Sequence, residues 1–174
     1  PSSGTLTIEN STINAKTMGV QVCAGSLNIT GAGTAITVTG DAVPKTENDG
    51  AIQDGAAISI VNRTGYKALE KIEVTGGPFT AKTGNAAIKA YNWANNTETE
   101  FTEPTKVEVS GGTFSAEVPA DLCAPGYVPV DNGDGIYGVK KGTYVAAIGE
   151  KKYATLAAAV DAAKDGDTIT LIAD

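Results

Sequence analysis

The sequence predicts an all-β chain wound as a parallel β-solenoid, and three observations predict it. First, four ten-residue segments align without gaps: Leu6 to Ala15, Leu27 to Ile36, Ile72 to Ala81 and Val107 to Ala116. Each opens apolar, polar, apolar, small polar, then crosses mostly small or glycine positions to a further apolar residue. Second, the strands these segments imply are only three to five residues long and alternate strictly. Leu6 and Ile8, Leu27 and Ile29, Ile72 and Val74, and Val107 and Val109 all face one way. Third, 21 glycines stand beside 1 Met, 3 Phe and 1 Trp, a composition of tight turns and small side chains. Strands this short cannot bury an apolar face alone. Stacked at about 4.8 Å they set like residue on like residue and build a continuous core.

The copies start at residues 6, 27, 72 and 107, spacings of 21, 45 and 35. One turn of a three-sided solenoid takes roughly 20 to 30 residues. The first spacing is therefore a bare turn, and the other two carry insertions. These are Gly40 to Gly55 and Asn92 to Pro104, both polar, turn-rich and unpatterned. A second set of short strands recurs at another phase: Gly19 to Val22, Ala56 to Ile60 and Ala86 to Tyr91. The pairs Gly76-Gly77 and Gly111-Gly112 fall at the corner between two faces, where only glycine turns so sharply without a steric cost. About four turns are expected between residues 4 and 139.

These repeats resemble a right-handed parallel β-helix of the pectate-lyase-like class. The run from Val107 to Val118, followed by Gly126-Tyr127-Val128 and an Asp-Gly turn, resembles the last turn and closing hairpin of β-helix modules in large bacterial surface proteins. That class holds polysaccharide lyases, hydrolases, adhesins and passive spacers, so the resemblance implies architecture more than activity.

Residues 143–174 differ in kind. Tyr144 to Ile148 and Lys152 to Ala154 read as a hairpin across Gly149. Thr155 is a good N-cap, and Leu156, Ala159, Val160 and Ala163 form one helical stripe. Lys164 is placed in the last helical turn and Gly166 at the exit, with a strand over Thr168 to Ile172. The run from Tyr153 to Leu171 resembles the capping helix and first strand that open a new β-helix of the same class. The expected organisation is thus residues 1–139 as the C-terminal turns of one module with its closing hairpin, 140–142 as a linker, and 143–174 as the start of a following module. A chain that opens on Pro1 in strand-like sequence and stops just after a fresh strand is expected to be a piece of a longer protein.

The charge balance excludes several functions. Thirteen Lys and Arg against twenty Asp and Glu give a net charge of −7, with no His. Nucleic acid and membrane insertion are not expected of such a chain, and the usual general base and metal ligand are missing. Cys23 and Cys123 have no neighbouring His or Cys, so no metal and no cofactor is expected. Their repeats are separated by three stacking intervals, roughly 14 Å. A disulfide needs Cα atoms within about 7 Å, so both thiols are expected to be free.

Candidate catalytic groups have plainer readings. Glu73 and Glu108 share one outward column, with Lys71 and Lys106 two residues before them, a charge-balanced solvated face rather than an acid and nucleophile pair. Asp131-Asn-Gly-Asp-Gly135 has the wrong spacing for calcium and reads as a hairpin turn. Asn62 and Asn92 follow Ile58 and Ile88 by the same four residues and are expected to stack as an asparagine ladder. Tyr91 and Trp93, two apart in an extended segment, are the one ligand-binding candidate, a stacking platform for sugars; the alternative is a loop folded back over the core.

The expectation is therefore a non-enzymatic structural or adhesive module of a secreted bacterial cell-surface protein, whose partners would be carbohydrate or a host surface protein. The rivals are a carbohydrate-active β-helix, lyase or hydrolase related, whose catalytic part lies elsewhere, and a host-protein binding module. Self-association through the solenoid ends is expected, with the stripe of residues 143–174 covering an open end of its own or a neighbouring copy.

Overall fold

The computed structural model describes residues 3–44 and 52–172. The middle of the Gly40 to Gly55 insertion lies outside the described residues. The fold is mostly β, with three sheets built on parallel pairs and one small antiparallel sheet.

The chain visits three sheets in a fixed cyclic order. The first round is β1 (Thr5–Glu9), β2 (Thr12–Ala15) and β3 (Val20–Val22); the second is β4 (Gly25–Thr30), β5 (Ala35–Val38) and β6 (Ile58–Arg63). The third is β7 (Leu69–Val74), β8 (Phe79–Thr80) and β9 (Ile88–Ala94), after which β10 (Thr97–Thr99) folds back. A fourth round begins with β11 (Val107–Val109) and β12 (Thr113–Phe114), and the hairpin β13 (Tyr127–Asp131) and β14 (Tyr137–Lys141) follows. The resulting sheet orders are β1-β4-β7-β11, β10-β9-β6-β3 and β13-β14-β12-β8-β5-β2.

Register explains why these residues form these strands. In the first sheet Leu6, Leu27, Ile72 and Val107 are successive partners, and so are Ile8, Ile29, Val74 and Val109. In the second, Val20, Ile58 and Ile88 stack. In the third the column is Ile13, Ile36, Phe79 and Phe114, with the two rings 5.1 Å apart. These columns meet in one core in which Ile29, Ile36, Ile58, Ile60, Ile72, Val74 and Val109 are fully buried.

Several details depart from the sequence reading. The strands reach seven residues in β9, because Tyr91 to Ala94 continue the ladder instead of opening a loop. The Asn92 to Pro104 segment is not unpatterned: β9 and β10 pair antiparallel across Asn95-Asn96, both at positive φ. The gap-free alignment sets Ile36 opposite Ala15, yet its ladder partners are Ile13 and Phe79. The second round makes its corner with two more residues, and Thr34 is buried there with its hydroxyl bonded to the Thr30 carbonyl. Lys140 and Lys141 belong to β14, paired with Val128 and Tyr127, rather than to a linker.

The C-terminal piece holds β15 (Ala146–Ile148), β16 (Lys151–Tyr153), α1 (Leu156–Ala162) and β17 (Ile169–Leu171). Thr155 caps the helix, accepting from Ala158 N at 3.1 Å. The helix stops at Ala162, so Lys164 lies beyond it and donates its N–H to the Asp167 carboxylate at 2.8 Å. Of the expected stripe, Ala159 is buried while Leu156 and Val160 are exposed. β17 does not start a parallel round: it pairs antiparallel with β15. The piece meets the Ala120–Leu122 turn that follows β12, where the Tyr144 hydroxyl donates to the Ala120 carbonyl at 3.0 Å.

The corners stack as tightly as the strands. A Cβ on Gly76 would lie 2.4 Å from the Gly31 carbonyl oxygen, and one on Gly112 (φ 101°) would lie 2.4 Å from the Gly76 carbonyl oxygen. Gly112→Ala should therefore cost more than about 1 kcal/mol, read from the urea or thermal midpoint. Gly126→Ala, at φ 75° with open space around it, is the control and should cost less. Equal losses would mean that backbone conformation, not close stacking, sets the requirement.

Candidate functional site

The outward face of the β3-β6-β9 sheet carries the densest group of polar and aromatic side chains. Ile58, Ile60 and Ile88 point into the core, so the alternating partners Ser59, Val61, Arg63, Lys89, Tyr91 and Trp93 point out. Gln21 and Cys23 extend that face onto and just past β3. An outward Val, Tyr and Trp would be costly in water. They form a second apolar cluster with Ile52, against which Cys23 packs. The end of the Gly40 to Gly55 insertion thus lies over this face.

Hydrogen bonds hold it there. The Gln21 amide donates to the Ile52 carbonyl at 2.9 Å and accepts from the Ile52 N–H at 3.3 Å. Thr17 Oγ1 donates to Gln53 Oε1 at 2.7 Å. Asp54 is the centre: its carboxylate accepts from Ala56 N (3.1 Å), Ser59 Oγ (2.7 Å) and the Tyr91 hydroxyl (2.9 Å). With three donors on it, this carboxylate anchors the strap.

Tyr91 is 1% exposed and Trp93 7%, their rings edge to face with centroids 6.4 Å apart. As they stand, the two side chains present no open stacking face. The covering chain comes from the Gly40 to Gly55 insertion, not from the segment that follows them. The Trp93 Nε1–H has no partner among the described residues. Lys89 sits 4.7 Å from the Tyr91 ring centre and bonds Glu98 at 2.6 Å, and Arg63, itself buried, lies 5.1 Å from the Tyr66 ring.

The other candidates resolve as follows. Glu73 and Glu108 are ladder partners, and Lys71 reaches both at 2.9 and 3.5 Å. The bond to Glu73 and the nearby Glu108 charge raise the Lys71 pKa, so it stays a shared cation between two carboxylates. Lys106 ends a short 3-10 turn, Pro104–Lys106, beside them. Asp131 accepts from Gly133 N at 2.8 Å within the β13-β14 turn. Asn62 donates to Asn92 Oδ1 at 3.0 Å, and Asn92 passes the chain on to Thr102 at 3.0 Å. Among the described residues no group of three or more Asp, Glu, Cys or His is placed to hold a metal.

The chain matches no protein-family model, no curated protein and no solved structure.

Both cysteines are free thiols, half-buried at opposite ends of the stack. Burial raises both pKa values, that of Cys123 to about 11. Sequence reasoning missed Asp54, Ser59, Gln21 and Arg63. A signal was present: Ile58-Ser-Ile-Val61 and Tyr91-Asn-Trp93 place apolar residues at outward positions, the mark of a sheet covered on both faces.

Two measurements follow. Trp93→Ala should lower stability by about 3 kcal/mol or more, since it empties a buried aromatic site; an unchanged melting temperature would mean the strap does not pack on it. Tyr91 and Tyr144 are held protonated by burial first, then by the Asp54 charge and by Cys123 respectively. An unfolded chain ionises its tyrosines near about pH 10. The two phenols therefore contribute fully below that pH, and the contribution drains away as pH rises above it. Absorbance at alkaline pH should show two of the six tyrosines ionising only with unfolding; six simple titrations would contradict this burial.

Proposed function

We propose that this chain is a non-catalytic structural module of a secreted bacterial cell-surface protein, wound as a right-handed parallel β-helix of the pectate-lyase-like class. The observation that carries the reading is the columnar stacking of like residues. Leucine and isoleucine stack inside, and outside the same rows place Thr7, Asn28, Glu73 and Glu108 in one column. Among the described residues, Lys71 is shared between the outward Glu73 and Glu108, and the Asp54 carboxylate accepts hydrogen bonds from Ser59 and Tyr91.

Three further features support it. The cyclic strand order is that of a solenoid. The β13-β14 hairpin ends the third sheet antiparallel, as a terminating element does. The buried strap over Tyr91 and Trp93 reads as reinforcement of the stacked sheets. Carbohydrate recognition by those rings would require residues 52–55 to leave them.

The test is enzymatic and direct. Purified chain is incubated with pectins, alginates and glycosaminoglycans, and reducing ends and unsaturated products are measured. No release above the buffer rate is expected. Release from any of them, lost on Asp54→Asn or Glu73→Gln, would overturn the structural reading.

A further inference from the structure

Asn132 is the one asparagine of the chain that glycine follows. Asparagine is a thermolabile residue, since its carboxamide carbon comes within reach of the next backbone nitrogen. A Cβ on the next residue crowds that approach, and Gly133 has none. Gly133 stands at φ 86° in the turn between β13 and β14, and residues 131–136 are all exposed. Other asparagines are placed differently. Asn62 donates to Asn92, Asn10 accepts from Gly33 N and Asn85 donates to the Gly40 carbonyl, so each is held on a neighbouring strand or corner.

Two contacts restrain the groups that would react. The Gly133 N–H donates to the Asp131 carboxylate at 2.8 Å. That nitrogen attacks only after losing its proton, and a carboxylate bonded to the proton opposes the loss. The Asn132 carboxamide lies over β14, where a Cβ on Gly138 would be 2.8 Å from its Nδ2. The backbone is fixed as well: Asn132 N donates to the Ile136 carbonyl and Ile136 N to the Gly133 carbonyl, each at 2.9 Å.

We propose that Asn132 is this chain's site of spontaneous deamidation and that Asp131 sets its rate. The Gly133 nitrogen forms a bond to Asn132 Cγ, the Cγ–Nδ2 bond breaks, and ammonia leaves with the proton lost by Gly133. Water then opens the cyclic imide at either carbonyl, giving aspartate or isoaspartate. Water is the only co-reactant, and nothing is oxidised or reduced. Either product adds a negative charge to a turn that already holds Asp131 and Asp134. Isoaspartate also adds one carbon to the backbone inside the loop that the Asn132 to Ile136 bond closes, so the hairpin that ends the third sheet loosens at its tip. This inference rests on the β13-β14 turn and stands apart from the structural-module reading.

The test is a time course of the whole chain held warm in mildly alkaline buffer, with each asparagine followed by peptide mass mapping and isoaspartate measured in the same peptides. Wild type should convert at Asn132 before any other asparagine. Asp131→Ala should convert about tenfold faster, the equivalent of one hydrogen bond to a charged group. Asp134→Asn removes the same charge from the same turn, at a φ of 53° that asparagine tolerates, and leaves the Gly133 N–H bonded; it should convert close to the wild-type rate. Both variants should melt within a few degrees of wild type, because the turn is exposed. First conversion at another asparagine, Asp131→Ala converting at the wild-type rate, or equal acceleration by Asp131→Ala and Asp134→Asn would overturn the proposal.

Discussion

Parallel register, one residue above its like in the next row, is the constraint on which this structure depends. Burying one Leu, Ile or Val side chain stabilises by about 1.5–3 kcal/mol. The columns of the three sheets repeat that gain in every row. A surface ion pair such as Lys71 with Glu73 contributes about 0–1 kcal/mol by comparison. Slipping any strand by one residue would carry Leu27 and Ile29 to the outside and Asn28 into the core. The corners must close at the same spacing, hence the glycines at 31, 76 and 112 that stack on one another's carbonyls. Extra chain is tolerated where it leaves at a corner or after a strand, as after Val38 and after Ala94, because the ladder resumes in register.

The same constraint makes the outer faces of the stacked sheets useful for packing. A flat sheet face accepts a second layer, and Ile52 to Gly55 supply one over Val61, Tyr91 and Trp93. Asp54 makes that layer specific, since its carboxylate would be an uncompensated partly buried charge without Ser59, Ala56 and Tyr91. The C-terminal piece is attached differently. Its helix buries Ala159 but leaves Leu156 and Val160 in solvent, and Tyr144 bonds the Ala120 carbonyl in the short turn that follows β12.

The rows of the first sheet were legible because a period of two in short apolar segments has one physical meaning, an inside and an outside. Their alignment equates the residues that are ladder partners, Leu6, Leu27, Ile72 and Val107. The corner between Thr30 and Ala35 was not legible. A turn has no period to betray two added residues, and Ile36 was set against the wrong neighbours. Tyr91 and Trp93 were located but their cover was not. What shields them is separated from them by more than 35 residues and announces itself only as apolar residues on the wrong side of a strand. The pairing of β17 was hidden too, since a three-residue strand carries no sign of whether its neighbour runs parallel or antiparallel.

If stacked register carries the stability, the stacked sheets should open as one unit and their attachments separately. Native-state hydrogen exchange, resolved by residue, measures this most directly. The account predicts that amides of β4, β6 and β7 exchange only through global unfolding, while those of α1 and β15 to β17 exchange through a smaller, local opening. Amides of α1 and β17 as protected as those of Ile29 and Ile72 would contradict it.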